Sequence, residues 1–203
     1  MKNLHASLLF TFSVVSVAFA QQFETINIGD TCPGLLLEME SVDGVSHNLQ
    51  SHFNKNGLLV IFTSNTCPFV VAWEDRYKII EEICQESNID MLYVNSNHKK
   101  RADDDSFEAM KMHAKTMDYQ FPYLLDEQSQ LANIFGAKTT PHIFLFNSQK
   151  ELVYVGAIDD NYESLDKVNQ FYLKDAIESL VDGEMIQINK TKAIGCSIKR
   201  YTP

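Results

Sequence analysis

Hydrophobic and polar positions alternate along this chain in a way that marks out strands and helices. The strongest signal is the unbroken apolar run Leu58-Leu59-Val60-Ile61-Phe62, which predicts a buried central strand. Polar Thr63, Ser64, Asn65 and Thr66 end the run, and Cys67 and Pro68 follow. From Pro68 onward Trp73, Tyr77, Ile80 and Cys84 recur at helical spacing, with Glu74, Asp75, Arg76, Glu81 and Glu82 on the other faces. Pro68 suits the first helical position, where a missing N–H costs nothing. The stretch therefore predicts a strand, a short loop and a thiol at a helix N-terminus.

The flanking segments extend this pattern. Leu35 to Glu40 and Ser46 to Leu49 surround Asp43-Gly44, a hairpin signal. Met91 to Val94 predicts a second buried strand. The charged blocks Lys99-Lys100-Arg101 and Asp103-Asp104-Asp105 predict a solvated loop, and Asp105-Ser106 with Glu108 predicts the cap of a helix reaching Met117. Met110 and Met112 fit core filling. Phe121 to Asp126 looks like an extended connector, and Gln130 to Phe135 like a short helix stopped by Gly136. His142 to Phe146 and Glu151 to Val155 predict antiparallel strands, with a helix over 168–181 after them. The order predicts an α/β domain with a mixed sheet.

Residues 1–20 have a separate character. Lys2, the mostly apolar stretch from Leu8 to Phe19, and Ala18-Phe19-Ala20 predict a signal peptide cleaved before Gln21 and an exported protein, periplasmic or secreted. The apolar stretch is short for a membrane anchor. Loss of Lys2 with this leader takes the formal charge from −10 to −11. That acidity argues against nucleic acid and anionic membranes as partners. The domain is expected over 23–188, with a basic tail over 189–203.

Export changes the meaning of the four cysteines, Cys32, Cys67, Cys84 and Cys196, because disulfides persist outside the cytosol. Their wide spacing suggests neither a disulfide-stapled scaffold nor a zinc site, and no cofactor is implied. Cys67 is the chemical candidate, since a helix N-terminus stabilises a thiolate relative to a thiol. Cys84 falls on the apolar helix face and reads as core. Asp159 and Asp160 read as solvated loop acids, and His142 as a strand histidine with a satisfied hydrogen bond.

These residues resemble the thioredoxin-like superfamily, in its redoxin and peroxiredoxin branch. The stretch IGDTCPGLLLEMESVDG is similar to the lead-in of alkyl hydroperoxide reductase and bacterioferritin-comigratory-type proteins, with Cys32 where alanine is usual. FTSNTCPFV resembles the active-site loop, and TTPHIFLF the strand reached through a cis-proline. NTCPFVVAWEDRY, GAIDDN and GCSIK together are similar to a peroxiredoxin-like group of exported thioredoxin-family proteins.

The resemblance implies a thioredoxin-like fold, with an N-terminal hairpin and a C-terminal tail, and places Thr140 and Pro141 beside Cys67. Val70 stands where a CxxC dithiol would have its second cysteine, and Val71 removes the CxxxC pair of a copper chaperone. Ser64 matches the hydroxyl residue three positions before a peroxidatic cysteine, whereas Val60 departs from the proline seven before it. Three functions stay open. A thiol peroxidase would use Cys67 on a small peroxide and Cys196 to resolve it. A thiol–disulfide exchange protein would act on protein disulfides with the same pair. A binding module would keep only the fold. The first two need an external thiol reductant.

Overall fold

A computed structural model gives the fold and describes residues 23–202. The expected signal peptide lies outside the described residues. Strands β1 (Met39–Ser41), β2 (Ser46–His47), β3 (Gly57–Thr63), β4 (Ile89–Asn95), β5 (Tyr123–Leu125), β7 (His142–Phe146) and β8 (Leu152–Gly156) form one mixed sheet. Their spatial order is β2-β1-β5-β4-β3-β7-β8. β3 runs parallel to β4 and antiparallel to β7, so it is flanked on both edges.

Every residue of β3 is buried because both faces of the sheet are covered. Leu59 and Ile61 face helices α1 (Pro68–Glu86), α2 (Phe107–Met117) and α4 (Tyr172–Asp182), joining Trp73, Tyr77, Met110 and Ile177 in one core. Leu58, Val60 and Phe62 face the other way, toward Phe135 of α3 (Gln130–Phe135). There the Phe62, Phe144 and Phe146 rings meet Phe135 edge-on at 5.5, 5.1 and 5.6 Å. Each such contact adds roughly 0.5–1.5 kcal/mol beyond area burial.

Several expectations are met residue for residue. The hairpin forms, with Met39 opposite His47, and α3 ends at Gly136 with φ 59°. Glycine is required there twice over: its φ is left-handed, and a Cβ would overlap the backbone of Glu24.

Other expectations need correction. Phe121 to Asp126 is no mere connector, since β5 within it lies between β1 and β4. The last helix begins at Tyr172 rather than 168. Met112 is exposed, because only Met110 of the two falls on the inner face of α2. Ser106, not Asp105, caps α2 by accepting from the Ala109 N–H. Asp105 and Asp159, both read as solvated, are buried at 1 % exposure. The tail carries a further strand, β9 (Cys196–Ser197), which pairs antiparallel with β6 (Thr139–Thr140).

Candidate active site

The sequence brings Cys67 to the surface edge of the core by stopping β3 and starting α1 within four residues. Cys67 is the N-cap of α1 and its side chain does not cap the helix. Instead its Sγ–H donates to the Thr140 carbonyl at 3.1 Å. The Ser64 hydroxyl and the Thr140 hydroxyl lie 3.2 Å apart, and the Thr140–Pro141 peptide is cis, as expected.

Cys196 reaches the same point from the far end of the chain. It sits opposite Thr140 in the β6–β9 pair, so one residue separates the two sulfur-bearing segments. Gly195 makes this approach possible, because a Cβ there would lie 2.7 Å from the Thr140 carbonyl carbon. Burial pushes the Cys196 thiol up to about 11, and a hydrogen bond with Cys67 and its charge add to the rise. The Phe69 N–H, in the first turn of α1, and Lys199 pull the other way. All four cysteines are free.

The remaining two cysteines stand apart from this site. Cys84 is fully buried on the inner face of α1, where burial first, then Asp90 and Glu81, push its thiol up. Cys32 is buried in the lead-in, where burial raises its thiol to about 12. A thiol so hidden is poorly nucleophilic.

A hydrogen-bond network that the sequence does not announce holds the loop in place. Asp105 accepts from the Asn65 N–H (2.9 Å), Asn95 Nδ2 (2.8 Å) and Asn97 Nδ2 (2.9 Å). Tyr123 donates to Asn65 Oδ1 at 2.9 Å. Arg101 braces the group by donating to Asn95 Oδ1 and the Asp105 carbonyl, both at 2.9 Å. Burial pulls the Arg101 guanidinium down from its ordinary value, and Asp105 is the first charge opposing that. Asn97 Oδ1 in turn accepts from the Lys199 N–H at 2.8 Å. The network thus ties the Cys67 loop to the segment carrying Cys196. Its one signal in the sequence is position, since Asn95 and Asn97 lie at the C-terminal end of a central parallel strand, where α/β sites form.

A second buried pair orients α1. Trp73 Nε1–H donates to Asp159 Oδ1 at 2.9 Å, and Arg76 Nε lies 3.3 Å from Asp159 Oδ2. Asp159 is therefore a structural anchor for the helix rather than a general acid. His142, on the strand entered through Pro141, accepts at Nδ1 from the Lys138 N–H at 3.1 Å. Burial, with the charges of Lys138 and Arg200, pushes its imidazole down to about 3.

That shift gives a pH prediction. Unfolded His142 takes up a proton near its ordinary value of about 6.5, whereas the folded ring stays neutral down to about 3. Its contribution is present above the unfolded value and is lost as pH falls through this window, at ~1.4 kcal/mol per unit. Urea midpoints at pH 7, 5.5 and 4 are expected to fall less steeply in His142→Gln, by about one proton's worth of slope.

A central mixed sheet, a cysteine at a helix N-terminus and a cis-proline loop against its sulfur define a thioredoxin-like protein. The chain belongs to the Redoxin family, whose model matches residues 27–171. Cys196 lies beyond that match. The structure is similar to that of a hypothetical protein from Sinorhizobium meliloti 1021, with 29% identity, TM-score 0.79, and coverage of 88% of this chain and 97% of that one. It is also similar to an uncharacterized conserved protein from Geobacillus kaustophilus, at 27% identity and TM-score 0.80, over 87% of this chain and 93% of the other. Peroxidoxin BcpB from Mycobacterium tuberculosis, at 16% identity and TM-score 0.57 over 75% of this chain and 95% of that one, shares the fold. Comparison with curated proteins gave no match.

Proposed function

We propose that this chain is a thiol peroxidase in which Cys67 is the peroxidatic thiol and Cys196 the resolving one. The observation that carries the reading is the meeting of the two thiols at Thr140, whose carbonyl accepts from Cys67 and whose strand partner is Cys196. The Cys67 thiolate attacks the terminal oxygen of a peroxide. An S–O bond forms, the O–O bond breaks, and the proton given up by Cys67 ends on the leaving alkoxide or hydroxide. The Cys196 sulfur then attacks the Cys67 sulfenic acid, expelling hydroxide that leaves as water with the Cys196 proton. Ser64 and Thr140 supply hydroxyls for the peroxide, and Pro141 fixes the edge of the loop.

The pKa of Cys196 supports this division of labour. A thiol at about 11 stays protonated at neutral pH and does not compete for peroxide. Oxidation of Cys67 removes its charge, while the Phe69 N–H and Lys199 remain to favour the Cys196 thiolate. The first step thereby prepares the second.

Thiol–disulfide exchange would use the same two sulfurs. Cys67 is only 6 % exposed, which favours a small peroxide over a protein disulfide. The N-terminal pattern supports action in an exported compartment. The test is to offer the reduced protein hydrogen peroxide and, separately, insulin. Peroxide consumption with a Cys67–Cys196 disulfide seen by peptide mass mapping is expected. Insulin reduction without peroxide consumption would turn the reading to exchange, and neither activity would leave a binding module.

A further inference from the structure

A cleft of about 570 Å³ opens beside β6 and the tail, lined by Lys138, Thr139, His142, Lys190, Lys192 and Ala193 among others. The three lysines are exposed, and among the described residues none of them forms an ion pair. Glu24 is the one carboxylate in the lining. In a chain of net charge −10, three lysines against one acid make a local reversal of sign.

His142 adds a directed donor to this charge. It is 4 % exposed, and its Nδ1 accepts from the Lys138 N–H. The ring of this neutral imidazole must therefore carry its proton on Nε2. That N–H has no partner among the described residues, although the ring lines the cleft. This N–H opens onto the solvent of a basic cleft rather than being sealed in the core, and it is placed to donate to an anionic acceptor such as a carboxylate.

The cleft also lies close to the site. Ala193 precedes Cys196 by three residues, at most about 10 Å of extended chain. Thr139 pairs with Ser197 in the same short ribbon. Cys196 is the more exposed of the two thiols that meet at Thr140.

We propose that this cleft holds the carboxylates of a small acidic thiol and presents that thiol to Cys196, as the reductant that reopens the Cys67–Cys196 disulfide. The proposal rests on the two-cysteine reading above. The bound thiolate attacks the Cys196 sulfur, forming a mixed disulfide and releasing Cys67 as a thiolate. A second thiol attacks the reductant's own sulfur, releasing a small-molecule disulfide and the Cys196 thiol. Two small thiols are oxidised and one protein disulfide is reduced.

The experiment compares glutathione with its diethyl ester as reductants of the full-length oxidised chain, with rates expressed per thiolate. Net charge alone would make the acidic chain prefer the ester. Glutathione is expected to be faster by about tenfold at low salt, and the ratio is expected to collapse in 0.5 M sodium chloride. It should also fall to about one in K138Q/K190Q/K192Q. A ratio of one or below in the unaltered protein overturns delivery by the cleft. Succinate titrated into the reduced protein reads the cleft without any disulfide. It is expected to shift the NMR signals of the His142 ring, assigned by their loss in His142→Gln, and no shift overturns the site. If no Cys67–Cys196 disulfide forms, the two-cysteine reading and delivery fall together, and the succinate arm still decides whether the cleft binds carboxylates.

Discussion

Cys67→Ser is expected to lose more than about 1,000-fold in peroxide consumption, ~4 kcal/mol of activation free energy. A serine hydroxyl at the α1 N-cap cannot ionise as a thiol does, and oxygen is the poorer nucleophile toward peroxide. The fold should survive, because the hydrogen bond from Cys67 to the Thr140 carbonyl is one that a hydroxyl can make. Cys196→Ser separates the two steps. It should consume one equivalent of peroxide at an undiminished rate and then stop, with Cys67 held as a sulfenic acid detectable by dimedone. Full turnover by Cys196→Ser without added thiol would remove the resolving role and leave a one-cysteine mechanism. Cys84→Ser should leave the reaction with peroxide intact, since that sulfur is sealed within the core.

Asp105→Ala is expected to destabilise the fold by ~3–5 kcal/mol, since each buried donor left without its charged acceptor costs about 1–3 kcal/mol. The substitution strands three amide donors, on Asn65, Asn95 and Asn97, and removes the largest of the charges that offset the burial of Arg101. For a chain of this size that corresponds to a drop of about 6–20 °C in the melting midpoint. The network links the Cys67 loop to Lys199, so disulfide closure after peroxide should slow as well. Differential scanning calorimetry and a stopped-flow measurement of closure check the two effects separately. A midpoint shift under about 2 °C would show that Asp105 does not hold the loop.

Much of the architecture was legible because it rests on local patterning. A five-residue apolar run has to be buried, a proline after a cysteine starts a helix, and Asp-Gly between alternating segments turns a hairpin. β3, α1 and the β1–β2 hairpin follow from these rules. The departures arose where a long-range partner outweighed a local rule. Asp105 looks like a solvated cap residue until Asn65, Asn95 and Asn97, from two other segments, converge on it. Asp159 looks like a loop acid until Trp73 and Arg76 enclose it. β5 is too short to show a period, and only its place between β1 and β4 makes it a strand.

The candidate site divides along the same line. Cys67 and its flanking hydroxyls announce themselves, because one short segment contains the strand end, the thiol and the helix start. Composition and spacing also set the α/β class and the acidic charge without any tertiary information. The tail carries no comparable pattern: β9 has two residues, and a strand so short forms only where an edge already waits for it. The tertiary structure alone decided that this edge is β6, that Gly195 lets the chain pass over Thr140, and that Cys196 therefore comes to rest at Cys67. Local sequence encodes backbone preference and burial, whereas the meeting of two residues 129 positions apart depends on how every intervening element packs.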